Sequence, residues 1–85
     1  MNIELRFFAS LREALGIAHL PLSVPAHVTT IGALRTYLQS KGEPWSAALA
    51  DHKPIRTALN QQMTGADTAI VEGCEIAFFP PVTGG

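Results

Sequence analysis

Cysteine is nearly absent from this 85-residue chain: Cys74 is the only one. No internal disulfide can form, and no cysteine cluster exists to hold zinc. A lone cysteine in this setting reads as a small, half-buried packing residue in the approach to a strand rather than as a reactive thiol. Charge of one sign is equally scarce. Six Lys/Arg stand against seven Asp/Glu, for a net charge of -1, and no basic run occurs. The phosphate-neutralising footprint of a nucleic-acid binder is therefore missing, and nucleic acid is excluded as the main partner. No apolar stretch approaches the roughly 20 residues of a membrane span, and the N-terminus lacks the basic-then-apolar layout of a signal peptide. The expectation is a cytoplasmic protein without a membrane partner.

Catalytic constellations are missing as well. His19, His27 and His52 have no metal-ligand spacing, no cysteine partner and no glutamate placed as in a metalloprotease helix. No serine sits in a Gly-x-Ser-x-Gly elbow, and no glycine-rich phosphate loop is present. Asp51 and His52 are adjacent, so a regular element turns their side chains to different faces. The chain is expected to have no metal site, no tightly bound cofactor and no self-sufficient active site.

What is present is the patterning of one small folded domain. Apolar residues make up 47% of the chain and charged residues 15%, a globular rather than a disordered composition. A domain of this size buries about 60 to 65% of its unfolded surface, enough for one modest core. Ile3-Glu4-Leu5-Arg6-Phe7 alternates with period two, which predicts a strand with Ile3, Leu5 and Phe7 inward. Residues 10–15 switch to helical spacing and end at Gly16, and residues 18–24 alternate again with Pro21 marking an edge strand. Thr30 is a suitable N-cap for a main helix over 31–40, whose Ile31, Leu34 and Leu38 share a face and whose stop is Gly42. Gly32 is expected to weaken that helix by about 1 kcal/mol relative to alanine. A short helix from Pro44 is expected next. A strand follows over 55–59 with a turn at Asn60-Gln61, then a weaker extended segment around 69–71, and a last strand over 75–79 with Ile76 and Phe78 inward and Ala77 and Phe79 outward. With the first and last strands side by side at the centre, the fold class is α+β, a sheet with a helix on one face.

The C-terminal run reads Pro80-Pro81-Val82-Thr83-Gly84-Gly85. The domain is expected to span 1–79, with 80–85 as an extended tail. Two prolines favour a stiff extended stem, and two glycines make a narrow tip without side chains. Residues 82–85 reach roughly 13 Å when extended, far enough to enter a deep pocket on another protein. The Gly85 carboxylate would be ionised and inert at neutral pH. Conversion to an acyl-adenylate makes it an electrophile, and attack by a sulfur donor leaves a thiocarboxylate. Phe8 follows Glu4 and Arg6 on the polar face of the first strand, and Phe79 lies on the outward face of the last. If these strands are parallel neighbours, both phenylalanines sit beside the root of the tail as a docking patch, rimmed by Arg12.

Phe78-Phe79-Pro80-Pro81-Val82-Thr83-Gly84-Gly85 resembles the C-terminal motif of the small subunits of molybdopterin synthases. Phe7-Phe8-Ala9 with Leu11-Arg12-Glu13, Thr30 with Ala33-Leu34-Arg35, and Leu59-Asn60-Gln61 extend that resemblance over nearly the whole chain. It implies a ubiquitin-like β-grasp fold with one main helix across a mixed sheet. It also implies that an adenylating partner enzyme uses ATP to activate Gly85 and that a sulfur donor protein supplies the thiocarboxylate sulfur. The tail, Pro80 to Gly85, then inserts into the large synthase subunit, where it delivers sulfur to cyclic pyranopterin monophosphate for the molybdenum cofactor. Two large and two small subunits usually make the working enzyme. Residues matching Phe8, Arg12 and Phe79 belong to the family's docking surface. Where relatives often carry an acidic residue before the last strand, this chain has Cys74. A sulfur carrier for thiazole synthesis or tRNA thiolation would share the fold and the Gly-Gly tip, and a modifier that joins Gly85 to lysines is the reading from a different class.

Overall fold

The computed structural model describes residues 1–81. Five strands form one sheet in the order β2-β1-β5-β3-β4, made of β1 (Asn2–Phe7), β2 (His19–Ser23), β3 (Arg56–Leu59), β4 (Gln62–Thr64) and β5 (Glu75–Phe79). Three helices accompany them: α1 (Ala9–Leu15), α2 (Ile31–Gln39) and α3 (Trp45–Ala48). The first and last strands are central and parallel, with Phe7 opposite Phe78, while every other pairing is antiparallel. The α+β expectation therefore holds. No helix among the described residues is long and apolar enough to cross a membrane.

The inward positions of β1 and β5 build the core as their alternation requires. Ile3, Leu5, Phe7, Ile76 and Phe78 are all fully buried. Phe7 stacks on Phe78 with ring centroids 5.9 Å apart and meets the edge of Trp45 at 5.7 Å. Such aromatic pairs are worth about 0.5–1.5 kcal/mol beyond their buried area. Helix α2 lays Ile31, Leu34 and Leu38 onto this layer. Its cap is the expected one, since the Thr30 hydroxyl accepts a hydrogen bond from the Ala33 N–H at 3.1 Å. At the other end the helix stops at Gln39, before Gly42, whose φ of 85° turns the chain away two residues beyond the Ser40 cap.

Several local expectations are corrected. Gly32, expected only to weaken α2, also makes a close contact. Its N–H donates to the Ala66 carbonyl at 2.8 Å, and a Cβ there would lie 3.3 Å from both the Ala66 Cβ and its carbonyl oxygen. The extended segment around 69–71 reduces to one bridge, between Thr30 and Ala69, and a short strand not foreseen, β4, carries the edge instead. Asn60 and Gln61 both take positive φ, 49° and 69°, as a tight two-residue hairpin between antiparallel strands demands. Cys74 is 2% exposed, so it belongs to the core outright rather than half-buried at its margin. Ala77 does face outward as expected, in register with Arg6 and Ala58 and outside the core cluster, although its neighbours cover it to 9% exposure.

Because the Thr30 cap satisfies a first-turn donor of the helix that closes the core, Thr30→Ala should lower stability by about 1 kcal/mol in chemical denaturation, with an unchanged m-value. Stability equal to the parent would show that the bridge to Ala69 holds the helix start without the hydroxyl.

Candidate functional site

Where β5 ends, the chain runs into Pro80 and Pro81, and the surface around this exit is the candidate site. Parallel pairing aligns Phe7-Phe8 with Phe78-Phe79, and alternation sends one member of each dipeptide inward and the other outward. Phe7 and Phe78 are buried. Phe8 is 45% exposed and Phe79 is half-buried, with ring centroids 6.4 Å apart in an edge-to-face arrangement at 85°. The structure thus brings together the two phenylalanines that the sequence placed 71 positions apart.

The turn out of β1 fixes Phe8 in that position. Phe8 is the N-cap residue of α1, with extended backbone and no side-chain cap, and its carbonyl accepts from the Leu11 and Arg12 N–H groups at 3.2 and 3.3 Å. Ala9 pays for the sharp change of direction with a φ of 53°, in the left-handed region, at a cost of about 1 kcal/mol or more. Leu11 and Leu15 anchor the helix in the core, while Arg12, one turn after Phe8, is exposed. At the other end Gly16, with φ 72°, donates its N–H to the Arg12 carbonyl at 2.8 Å.

Beyond this patch the open face of the sheet is mixed: Ala77, Ala58 and the exposed Met63 form an apolar strip across β5, β3 and β4, and charged side chains lie beside it. Arg6 pairs with Glu75 at 3.3 Å and His19 with Glu4 at 2.6 Å, both at the surface, where such pairs add little stability. Arg56 lies opposite Phe79 in the β3–β5 register and is exposed. Among the described residues no group of three or more His, Cys, Asp or Glu side chains is placed to hold a metal ion.

Hydrogen bonds that the sequence did not reveal stiffen the elements around β5 and the tail root. The Arg35 guanidinium donates to the carbonyls of Leu49, Ala50 and Lys53, and Gln39 Nε2 donates to the Leu49 carbonyl at 2.7 Å and to Asp51 Oδ1 at 2.8 Å. These bonds tie the segment after α3 to α2. Asn60 exchanges backbone and side-chain hydrogen bonds with Glu75, at 2.8 and 2.9 Å, and so locks the β3–β4 hairpin to the start of β5. A guanidinium with several donors and an asparagine in a tight turn are the residue types for these tasks, but their targets are distant in sequence.

Phe8, Phe79, Pro80 and Pro81 are thus placed around the exit of β5, and Arg12 is exposed on α1 one turn after Phe8. Val82, Thr83, Gly84 and Gly85, the remaining site residues expected from the sequence, lie outside the described residues.

The ThiS family model matches residues 5–85. The molybdopterin synthase sulfur carrier subunit of Escherichia coli is 40% identical over 83 residues, covering 98% of this chain and 99% of that protein. Small archaeal modifier protein 3 of Haloferax volcanii is 29% identical over the full length of both. Among solved structures, the complex of subunits 1 and 2 of the molybdopterin-converting factor from Helicobacter pylori contains a chain that superposes with a TM-score of 0.65 at 25% identity, with both chains fully covered. The five-stranded mixed sheet is accordingly the ubiquitin-like β-grasp fold, and the chain belongs to the ThiS family.

Proposed function

We propose that this chain is the sulfur carrier subunit of a molybdopterin synthase. The observation that carries the reading is the outward Phe8–Phe79 pair, Phe8 exposed and Phe79 half-buried, at the root of a Pro80-Pro81 stem that leads to Gly84-Gly85. Full-length similarity to a named sulfur carrier supports it. In this reading the domain is a handle and the tail is the reagent. An adenylating enzyme binds the domain and joins the Gly85 carboxylate to AMP from ATP, releasing pyrophosphate. The terminal sulfur of a persulfide on a sulfur donor protein then attacks the acyl carbon and expels AMP, and a thiol cleaves the resulting acyl disulfide, releasing the thiocarboxylate and leaving a disulfide on the donor's side. Glycine suits both steps because a Cβ at the tip would obstruct a narrow pocket.

The charged carrier next docks on the large subunit, as the pairing of subunits 1 and 2 in the Helicobacter pylori complex suggests, and the tail delivers its sulfur to cyclic pyranopterin monophosphate. Holding the thiocarboxylate beside its target converts a bimolecular encounter into an intramolecular one. The chain itself supplies position and a nucleophile. ATP is used by the adenylating partner, and the carrier holds no cofactor of its own.

One relative favours a second reading. The similarity to a small archaeal modifier protein fits an activated Gly85 transferred to a lysine amine, giving an isopeptide bond. The two readings diverge at the acceptor, which mass spectrometry distinguishes.

Incubation with the adenylating enzyme, ATP and a sulfur source should replace one oxygen by sulfur on the C-terminal peptide, seen as an intact-mass shift localised to Gly85. An unshifted mass, in a mixture that charges a known carrier, overturns the sulfur-carrier reading, and a lysine-linked product in its place supports the modifier.

Phe79→Ala should weaken binding of the large subunit by about 1 to 3 kcal/mol in calorimetry if the ring is an interface anchor. Unchanged affinity would leave Phe79 as a cover for the sheet and nothing more.

A further inference from the structure

The open face of the sheet is only one flank of the tail root. On the helical flank lies a groove of about 510 Å³, lined among others by Leu11 and Ala14 of α1, Ala48 of α3, Lys53 and Ile55 before β3, and Pro80 at the start of the stem. The tail root is one wall of the groove. We propose that this groove is the second half of the docking surface. It takes an apolar side chain from the rim of the large subunit's tail socket, with a carboxylate next to that side chain to meet Lys53. The inference rests on the sulfur-carrier reading above and specifies the chemistry of the partner.

Three observations lead there. The first is enclosure. A socket that takes in residues 82–85 must surround Pro81, so it meets what lies on both sides of the stem. One side presents Phe8 and Phe79, and the other presents this groove. The second is preorganisation. Arg35 grips the carbonyls of Leu49, Ala50 and Lys53, while the Leu11 and Ala48 walls belong to the core. The groove is therefore held open by bonds already made, and filling it does not require ordering a loop.

The third is composition. The lining is mostly aliphatic, and Lys53 is its single charged residue. Lys53 takes part in neither of the two ion pairs among the described residues. An apolar slot with one cation at its edge and few converging polar groups lacks the orienting contacts of a small-molecule site. It matches an anchor side chain flanked by a carboxylate, the usual division of labour between the centre and the rim of a protein interface.

Ala14 is exposed on α1, so Ala14→Trp fills the groove without entering the core. The full chain carrying this change should bind the large subunit about tenfold or more weakly in calorimetry, at low and high salt alike, with an unchanged melting temperature. Should that variant fold poorly, Lys53→Glu provides an independent test, because an exposed lysine tolerates reversal. Its affinity should fall several-fold at low salt and recover toward the parent value at high salt, where rim charges are screened. Parent-like affinity of a folded Ala14→Trp, or of Lys53→Glu at low salt, overturns the proposal. Concentration-dependent dimerisation of the parent chain that Ala14→Trp abolishes overturns it too, by assigning the groove to a second copy. Continued weakening by Phe79→Ala and continued thiocarboxylate formation would show that only the groove has failed, whereas loss of the mass shift would count against the carrier reading itself.

Discussion

The parallel register of β1 on β5 is the constraint from which the rest of the molecule follows. Setting Phe7 opposite Phe78 also sets Phe8 opposite Phe79, because side chains alternate along both strands. One pair becomes the aromatic centre of the core, closed by Trp45, and the other becomes the exposed patch at the tail root. A slip of one residue on either strand would exchange these roles, leaving core rings in water and surface rings inside. The core pair and the surface pair are thus set by the same register.

The remaining elements hold that register. Gly73 takes a φ of 79° and donates its N–H to the Asn2 carbonyl at 2.7 Å, while the Glu72 carboxylate accepts from the Asn2 N–H at 2.9 Å, so the turn before β5 is fastened to the start of β1. Asn60 fastens the same strand from its other side. Helix α2 covers the buried face, with Gly32 allowing its first turn to approach Ala66 closely. The tail therefore leaves a central strand that is anchored on both edges. A rigid base is what an extended probe needs if its tip is to arrive at a defined point in another protein.

The two flanks of the tail root differ in chemistry. Aromatic rings lie on the sheet side and an aliphatic groove on the helical side, with the Pro80-Pro81 stem between them. The open face beyond carries the surface pairs Arg6–Glu75 and His19–Glu4, which add little to stability, beside an apolar strip of Ala77, Ala58 and Met63.

The amino-acid sequence by itself determined which faces are apolar. The period-two runs of β1 and β5, the Thr30 cap, the face formed by Ile31, Leu34 and Leu38, and the Pro-Pro-x-x-Gly-Gly ending are local patterns, and local physics suffices to read them. It also marked Phe8, Arg12 and Phe79 as outward residues near the tail. Tertiary structure alone decided that β1 and β5 pair in parallel, that β4 rather than the segment around 69–71 forms the edge, and that Cys74 is core. It alone revealed that Gly32 packs closely against Ala66 and that Arg35 ties the segment after α3, beside the groove at the stem, to α2. Each of these depends on atoms brought together from distant parts of the chain. Periodicity records only which way a side chain points, and what it meets there is settled by packing.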